Sequence, residues 1–131
     1  MCFIIAAICG SLCLFSTATF AAEEAKQPDA ALVKQRDSAA ALAEGGKAKE
    51  AEAAFRDVVA EATKSLGTEH SFTLRNRMGL AVEVWQAGRP EEAVQELQAV
   101  ILVQRRVLGP EHSDTLESRN NLAAALLGQG K

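Results

Sequence analysis

A chain of 131 residues holds one ordinary domain, and 48% hydrophobic with 24% charged residues is a globular balance that excludes a disordered chain. A formal net charge of −3, with basic residues scattered beside acidic ones, excludes both an electrostatic nucleic-acid footprint and an acidic tail. Ala, Leu, Glu, Gln and Arg dominate, Tyr is absent, and Pro is confined to Pro28, Pro90 and Pro110, so the expected class is all-α.

The first element is apolar. "MCFIIAAICGSLCLFSTATFAA" carries no charged side chain before Glu23, and its run from Cys2 to Phe15 is followed by a Ser/Thr/Ala stretch. That order resembles the apolar and cleavage regions of a secretory signal, with Thr19 and Ala21 as the small residues of a cut before Ala22. Residues 1–21 are therefore expected to be a signal peptide and the protein to be exported, periplasmic or secreted. No Lys or Arg precedes the run, and residues 2–21 also have the length of a bilayer span, so a signal anchor is the alternative. A membrane enters only in that case. Cys2, Cys9 and Cys13 all lie in this segment, so the remainder has no thiol for a disulfide or for catalysis. Ile8 and Leu12 stand where a lipoprotein signal wants a small residue, against lipidation of Cys9 or Cys13. Residues 22–28 read as a short polar linker.

From residue 29 onward the chain repeats. "LGTEHSFTL" from Leu66 and "LGPEHSDTL" from Leu108 are offset by 42 residues. The same offset pairs Gly46 with Gly88 and Gly130, Ala51 with Ala93, Gly67 with Gly109, His70 with His112, Arg77 with Arg119, Leu80 with Leu122 and Ala81 with Ala123. Residues 29–131 are thus a tandem array. Helical periodicity and stop signals predict helices near 30–44, 48–65, 72–86, 90–107 and 114–128. Gly88 suits a left-handed turn past a helix end, Pro90 needs no N–H in a first turn, and Glu91 and Glu92 favour the positive end of the dipole. Arg105 and Arg106 occupy the last turn of the same helix; Gly109 and Pro110 end it. Ser113 or Asp114 is the expected cap of the last helix, with Glu117 closing a capping box. These elements make about two and a half antiparallel helical hairpins, stacked as an α-α superhelical solenoid because one hairpin cannot bury its apolar face alone.

Glu69–His70 and Glu111–His112 are the strongest chemical candidates, since they contain both histidines of the chain. Adjacent Glu and His in a connector lack the one-turn spacing of a helical zinc site, and equivalent positions of stacked units lie roughly 10 Å apart. No nucleophile–base pairing stands beside them. They are expected to be structural joints, with the His ring closing the loop. No metal, no cofactor and no catalytic residue is expected, and Gly45–Gly46 ends a helix rather than forming a phosphate loop.

Small residues at Ala81, Gly88 and Ala93, with Leu80 and Leu97 between, have the offsets of the tetratricopeptide repeat, whose usual period is about 34 residues. The run "LGPEHSDTLESRNNLAAALLGQGK" resembles the longer, kinesin-light-chain subtype. The resemblance implies a non-enzymatic scaffold whose first helices line a concave groove for a protein or peptide partner. Carried over by position, the groove candidates are Arg36, Arg75, Met78, Val82, Trp85, Asn120, Asn121 and Ala124. Asn offers a donor and an acceptor to a peptide backbone, Arg a fork for a carboxylate, and Trp85 a flat apolar anchor. Repeat two departs from repeat three at Met78 and Gly79, against Asn120 and Asn121. Gly46, Gly67, Gly88, Gly109, Gly130, His70, His112, Ala81, Ala93 and Ala123 take repeat-structural roles. Two alternatives remain: an accessory or fragmentary repeat module of a larger signalling or enzymatic protein, and self-association through helix 114–128, whose Leu122, Leu126 and Leu127 lack a hairpin partner.

Overall fold

The computed structural model describes residues 26–130. The leader expected at 1–21 and the first part of the linker lie outside them. Five helices follow one another: α1 (Ala30–Glu44), α2 (Ala48–Leu66), α3 (Ser71–Gln86), α4 (Pro90–Val107) and α5 (Ser113–Gln129). Each packs on the next, with connectors short enough to make neighbours antiparallel, and α3 also touches α5. The fold is all-α, a stack of hairpins α1–α2 and α3–α4 followed by α5. Among the described residues no helix is long and apolar enough to cross a membrane.

Two kinds of corner set this geometry. Within each hairpin the turn is a Schellman motif. Gly46 and Gly88 take φ of 73° and 88°, a left-handed conformation that only Gly adopts without strain. Lys47 N–H then donates to Leu42 C=O and Arg89 N–H to Val84 C=O, satisfying carbonyls the helix end leaves open. Gly130, matched to them by the repeat, departs: it caps α5 at φ −78°, outside the left-handed region.

Between hairpins the corner is built by histidine. His70 is the N-cap of α3 and His112 the N-cap of α5, each accepting at Nδ1 from the backbone N–H two residues on, Phe72 or Asp114, at 3.1 Å. This corrects the expectation that Ser113 or Asp114 caps α5. The imidazole Nδ1 fills the place of a Ser or Asp oxygen, moving the boundary one residue upstream. Glu117 is exposed, and His112 N–H donates to Gly109 C=O, so no capping box forms. At the first helix Asp29 caps conventionally, accepting from Leu32 N–H at 2.7 Å.

The two histidines differ in depth. His70 is 5% exposed, and its Nε2 lies 2.8 Å from Lys26 C=O. A carbonyl on one side and an N–H on the other leave one tautomer, with Nε2 donating and Nδ1 accepting. His112 is exposed and only caps. His70→Ala should therefore cost about 1–2 kcal/mol and His112→Ala less than about 1 kcal/mol, read as urea midpoints. Equal losses would show that the Lys26 bond contributes nothing.

The core runs between the helices in levels. Ala39, Ala51 and Phe55 form one cluster, with Leu80 packed on it; Leu32, Val58, Ala62 and Leu66 form another. Met78, Ala81, Val94, Leu97, Val100 and Ala125 form the third. Ala81 and Ala93 are fully buried, letting α3 and α4 approach closely. Ala123, matched to Ala81, is instead exposed. Ala81 is covered by Val94 and Leu97 of α4, and no helix stands in that relation to α5 among the described residues.

Candidate functional site: the face of the first helices

Helices α1, α3 and α5 are the first helices of successive units, and they carry all eight groove candidates. They do not present them alike. α3 is flanked by α2 and α4 and touched by α5, so only Arg75 and Gln86 of its residues are exposed.

Met78 is the clearest departure. It is 6% exposed and sits in the cluster with Ala81, Val94, Leu97 and Ala125, so it is a core residue and not a groove residue. Its unbranched apolar chain fills space between α3, α4 and α5. The matched Asn120 is exposed, because α5 has no following helix on it among the described residues. Trp85 is half-buried against the same cluster. Its indole Nε1 edge approaches α5 at Gly128, where an added Cβ would stand 3.2 Å away. Val82, Asn121 and Ala124 are half-buried. Arg36 is half-buried, with Nε 2.8 Å from an Asp37 oxygen at an angle that makes an ion pair but no hydrogen bond.

Arg75 joins two of the three helices. Its Nη2 lies 2.9 Å from both carboxylate oxygens of Asp114 at the start of α5. Asp114 is almost buried, whereas 54% of the Arg75 side chain stays exposed. The guanidinium is thus held from one side and retains free N–H donors on the other. Neither Asp114 nor Gly128 was assigned this part by sequence reasoning. An acid 39 residues beyond Arg75, one turn short of the repeat offset, was the available signal for Asp114.

The Glu–His pairs do not assemble a reactive centre. Glu69 pairs with Arg106 at the end of α4, both largely solvated, which is worth little in stability. Glu111 is exposed, and among the described residues no group of three His, Cys, Asp or Glu side chains converges to hold a metal.

Away from the face of the first helices, charge collects between the hairpins. Glu52 of α2 accepts from Arg89 and from Arg56, and Arg89 also reaches Glu92 at 2.9 Å. Hydrogen bonds from Arg89 and then Arg56 hold the Glu52 carboxyl below its ordinary range. Its contribution is present at neutral pH and is lost as pH falls through that depressed value. A hollow of about 280 Å³ opens beside it, lined in part by Arg56, Leu80, Val84 and Glu96, and it includes none of the groove candidates. The opposite case is Glu83 of α3, 3% exposed, whose Oε2 has no hydrogen-bond partner among the described residues. Burial alone pushes its carboxyl up.

Stacked hairpins with a face formed by their first helices define a helical-repeat solenoid. Residues 84–131 match the family model described as tetratricopeptide repeat. Two solved structures are similar to most of the chain. One is a Podosopora anserina protein assigned as a kinesin light chain with nearly identical TPR-like repeats, at 32% identity and a TM-score of 0.69, covering 76% of this chain and 47% of that one. The other is a single-substitution variant of it, at 32% identity and a TM-score of 0.68 over the same shares. No curated protein matches the chain. The array is accordingly a tetratricopeptide repeat array of the kinesin-light-chain-like kind. The chain spans about half the length of the structures it matches. Arrays of this type are typically scaffolds for protein partners.

Proposed function

We infer that the protein is a non-enzymatic scaffold that holds an extended or helical segment of a partner protein against α1, α3 and α5. The carrying observation is Arg75: a guanidinium fixed by Asp114 and more than half exposed, on the helices that further along carry an apolar pair (Val82, Trp85) and a polar pair (Asn120, Asn121). Such a set suits a peptide with an acidic side chain, an apolar anchor and free backbone groups. With Met78 in the core, the contact set reduces to Arg75, Val82, Trp85, Asn120, Asn121 and Ala124, with Arg36 at the margin. Export follows the reading of residues 1–21 as a leader, supported by their lack of charge and the small residues before Ala22; N-terminal sequencing of the mature protein reads the cut directly.

The test is a peptide display screen against the purified protein. Selected binders should lose about tenfold or more in affinity with Asn120→Ala or Arg75→Ala, while thermal melting of Asn120→Ala stays within a degree or two of wild type. Binders indifferent to both substitutions would reject the groove.

A second reading, an accessory repeat module within a longer protein, is favoured by the 47% span of the matched structures. A native mass well above that of 131 residues would support it.

A further inference from the structure

The step between the two complete hairpins is held differently on its two sides. α3 lies between α2 and α4 and packs on both, whereas α2 and α4 share no apolar cluster among the described residues. The pivot of the step is a close contact of α2 with α3: a Cβ added at Gly79 would stand 3.2 Å from the Phe55 ring. Across the outer seam, from second helix to second helix, the contacts are ionic. Both hairpins are whole, so this seam owes nothing to either end of the chain.

Four charges close a ring there. Glu52 of α2 accepts from Arg56 at 2.7 Å and from Arg89, the N-cap residue of α4. Glu92 of α4 accepts from Arg89 at 2.9 Å and lies 3.5 Å from Arg56. The ring is graded in depth, with the Glu52 side chain 12% exposed and that of Glu92 50%. A hollow lies on either side of it: about 280 Å³ over Leu80 and Val84 of α3, and about 430 Å³ toward Lys49 and Ala87. No side chain fills the seam at these places, so packing does not fix how far apart α2 and α4 stand. Farther along, Glu69 and Arg106 also reach across, but both are largely solvated.

Two guanidiniums in this ring share two carboxylates. Without the charge of Glu52, Arg56 and Arg89 would face one another over a single half-exposed acid, and net attraction would become net repulsion. Salt acts on the exposed half, because the screening length falls from about 30 Å at 0.01 M to about 3 Å at 1 M. We propose that Glu52, Arg56, Arg89 and Glu92 are an ionic clasp that sets the pitch between the hairpins, and that the outer seam opens about the Phe55–Gly79 contact when the clasp is screened or loses a charge. The pitch of the array is then a function of ionic strength. This device lies on the outer side of the array and does not rest on the scaffold reading.

Double electron–electron resonance between nitroxides at Ala60→Cys and Leu102→Cys, matched exposed positions on α2 and α4, measures the seam once Cys2, Cys9 and Cys13 are changed to Ser. From about 0.01 M to about 1 M sodium chloride the mean separation should lengthen by about 2 Å, the scale of helix shifts at interfaces, and its distribution should broaden. Glu52→Gln should be open already at low salt and should lose the lengthening with salt, its circular dichroism spectrum unchanged. If that variant does not fold, Glu92→Gln, a half-exposed change, must show the same open seam. Asp57→Asn, which alters an exposed acid of α2 outside the ring, should behave as wild type. A separation that ignores salt would overturn the proposal. So would a Glu52→Gln protein that keeps the wild-type separation or still lengthens with salt, or an Asp57→Asn protein that opens as well.

Discussion

Met78→Asn, which installs in repeat two the residue that repeat three has at the matched position 120, is expected to destabilise the protein by about 3–5 kcal/mol. Two costs combine. Removing the buried thioether chain from between α3, α4 and α5 forfeits packing in a cluster where Ala81, Val100 and Ala125 are fully covered, and Met truncations of this kind run about 2–5 kcal/mol. The new amide then sits in an apolar site without partners, adding about 1–3 kcal/mol for each unsatisfied group, partly offset by the volume it refills. At roughly 4–8 °C per kcal/mol for a domain of this size, the melting temperature falls by more than 10 °C. The reciprocal change, Asn120→Met on the exposed face of α5, should stay within about 0.5 kcal/mol. Should Met78→Asn melt like wild type, the packing of position 78 between the helices contributes no stability.

Glu83→Met should do the opposite and stabilise the protein at neutral pH by about 1–3 kcal/mol. Position 83 is almost fully buried and one carboxylate oxygen lacks a partner, so the group pays desolvation without full compensation. The repeat supplies the comparison: the matched residues are Ala41 and Ala125, neither charged. Met keeps most of the volume and removes the polar atoms, avoiding the cavity that Ala would leave. The sign of the pH dependence follows from the raised carboxyl. Between the ordinary value of 4.5 and the higher folded-state value, the native protein holds a proton that the unfolded chain releases. Wild-type stability therefore falls as pH rises through that window. The advantage of Glu83→Met should be smallest below pH 4.5 and full at neutral pH, measured as urea midpoints across the range. An advantage independent of pH would mean that Glu83 stays ionised at no cost.

Much of the fold is legible in the residues because the array repeats. A 42-residue offset carries each local signal two or three times, and tandem Gly, Pro and apolar spacings place every helix end to within one residue of its observed position. The histidine caps were less legible, since an imidazole is not among the usual cap residues and Ser113 and Asp114 lay in wait beside it. Burial around α3 was hidden for a different reason. Whether a side chain at a groove position is exposed depends on how closely α5 approaches α3, a tertiary quantity that periodicity does not encode. Met78 is covered and Asn120 is not, although both occupy the same repeat position. Gln104 shows the same limit: its spacing from Val100 marks a buried position, its side chain suggests surface, and it is fully buried.

Two contacts described above sit at opposite ends of the same helix pair. Arg75 ties the first turn of α3 to Asp114 at the start of α5, and Trp85 wedges the last turn of α3 against Gly128 at its end. A pair of struts at both ends of two neighbouring rods fixes their spacing and their tilt together. The placement of α3 relative to α5 is thereby set within the array itself. Under the proposed scaffold role, a segment seated on these two helices would lose mainly its own conformational freedom, because the host would need no rearrangement.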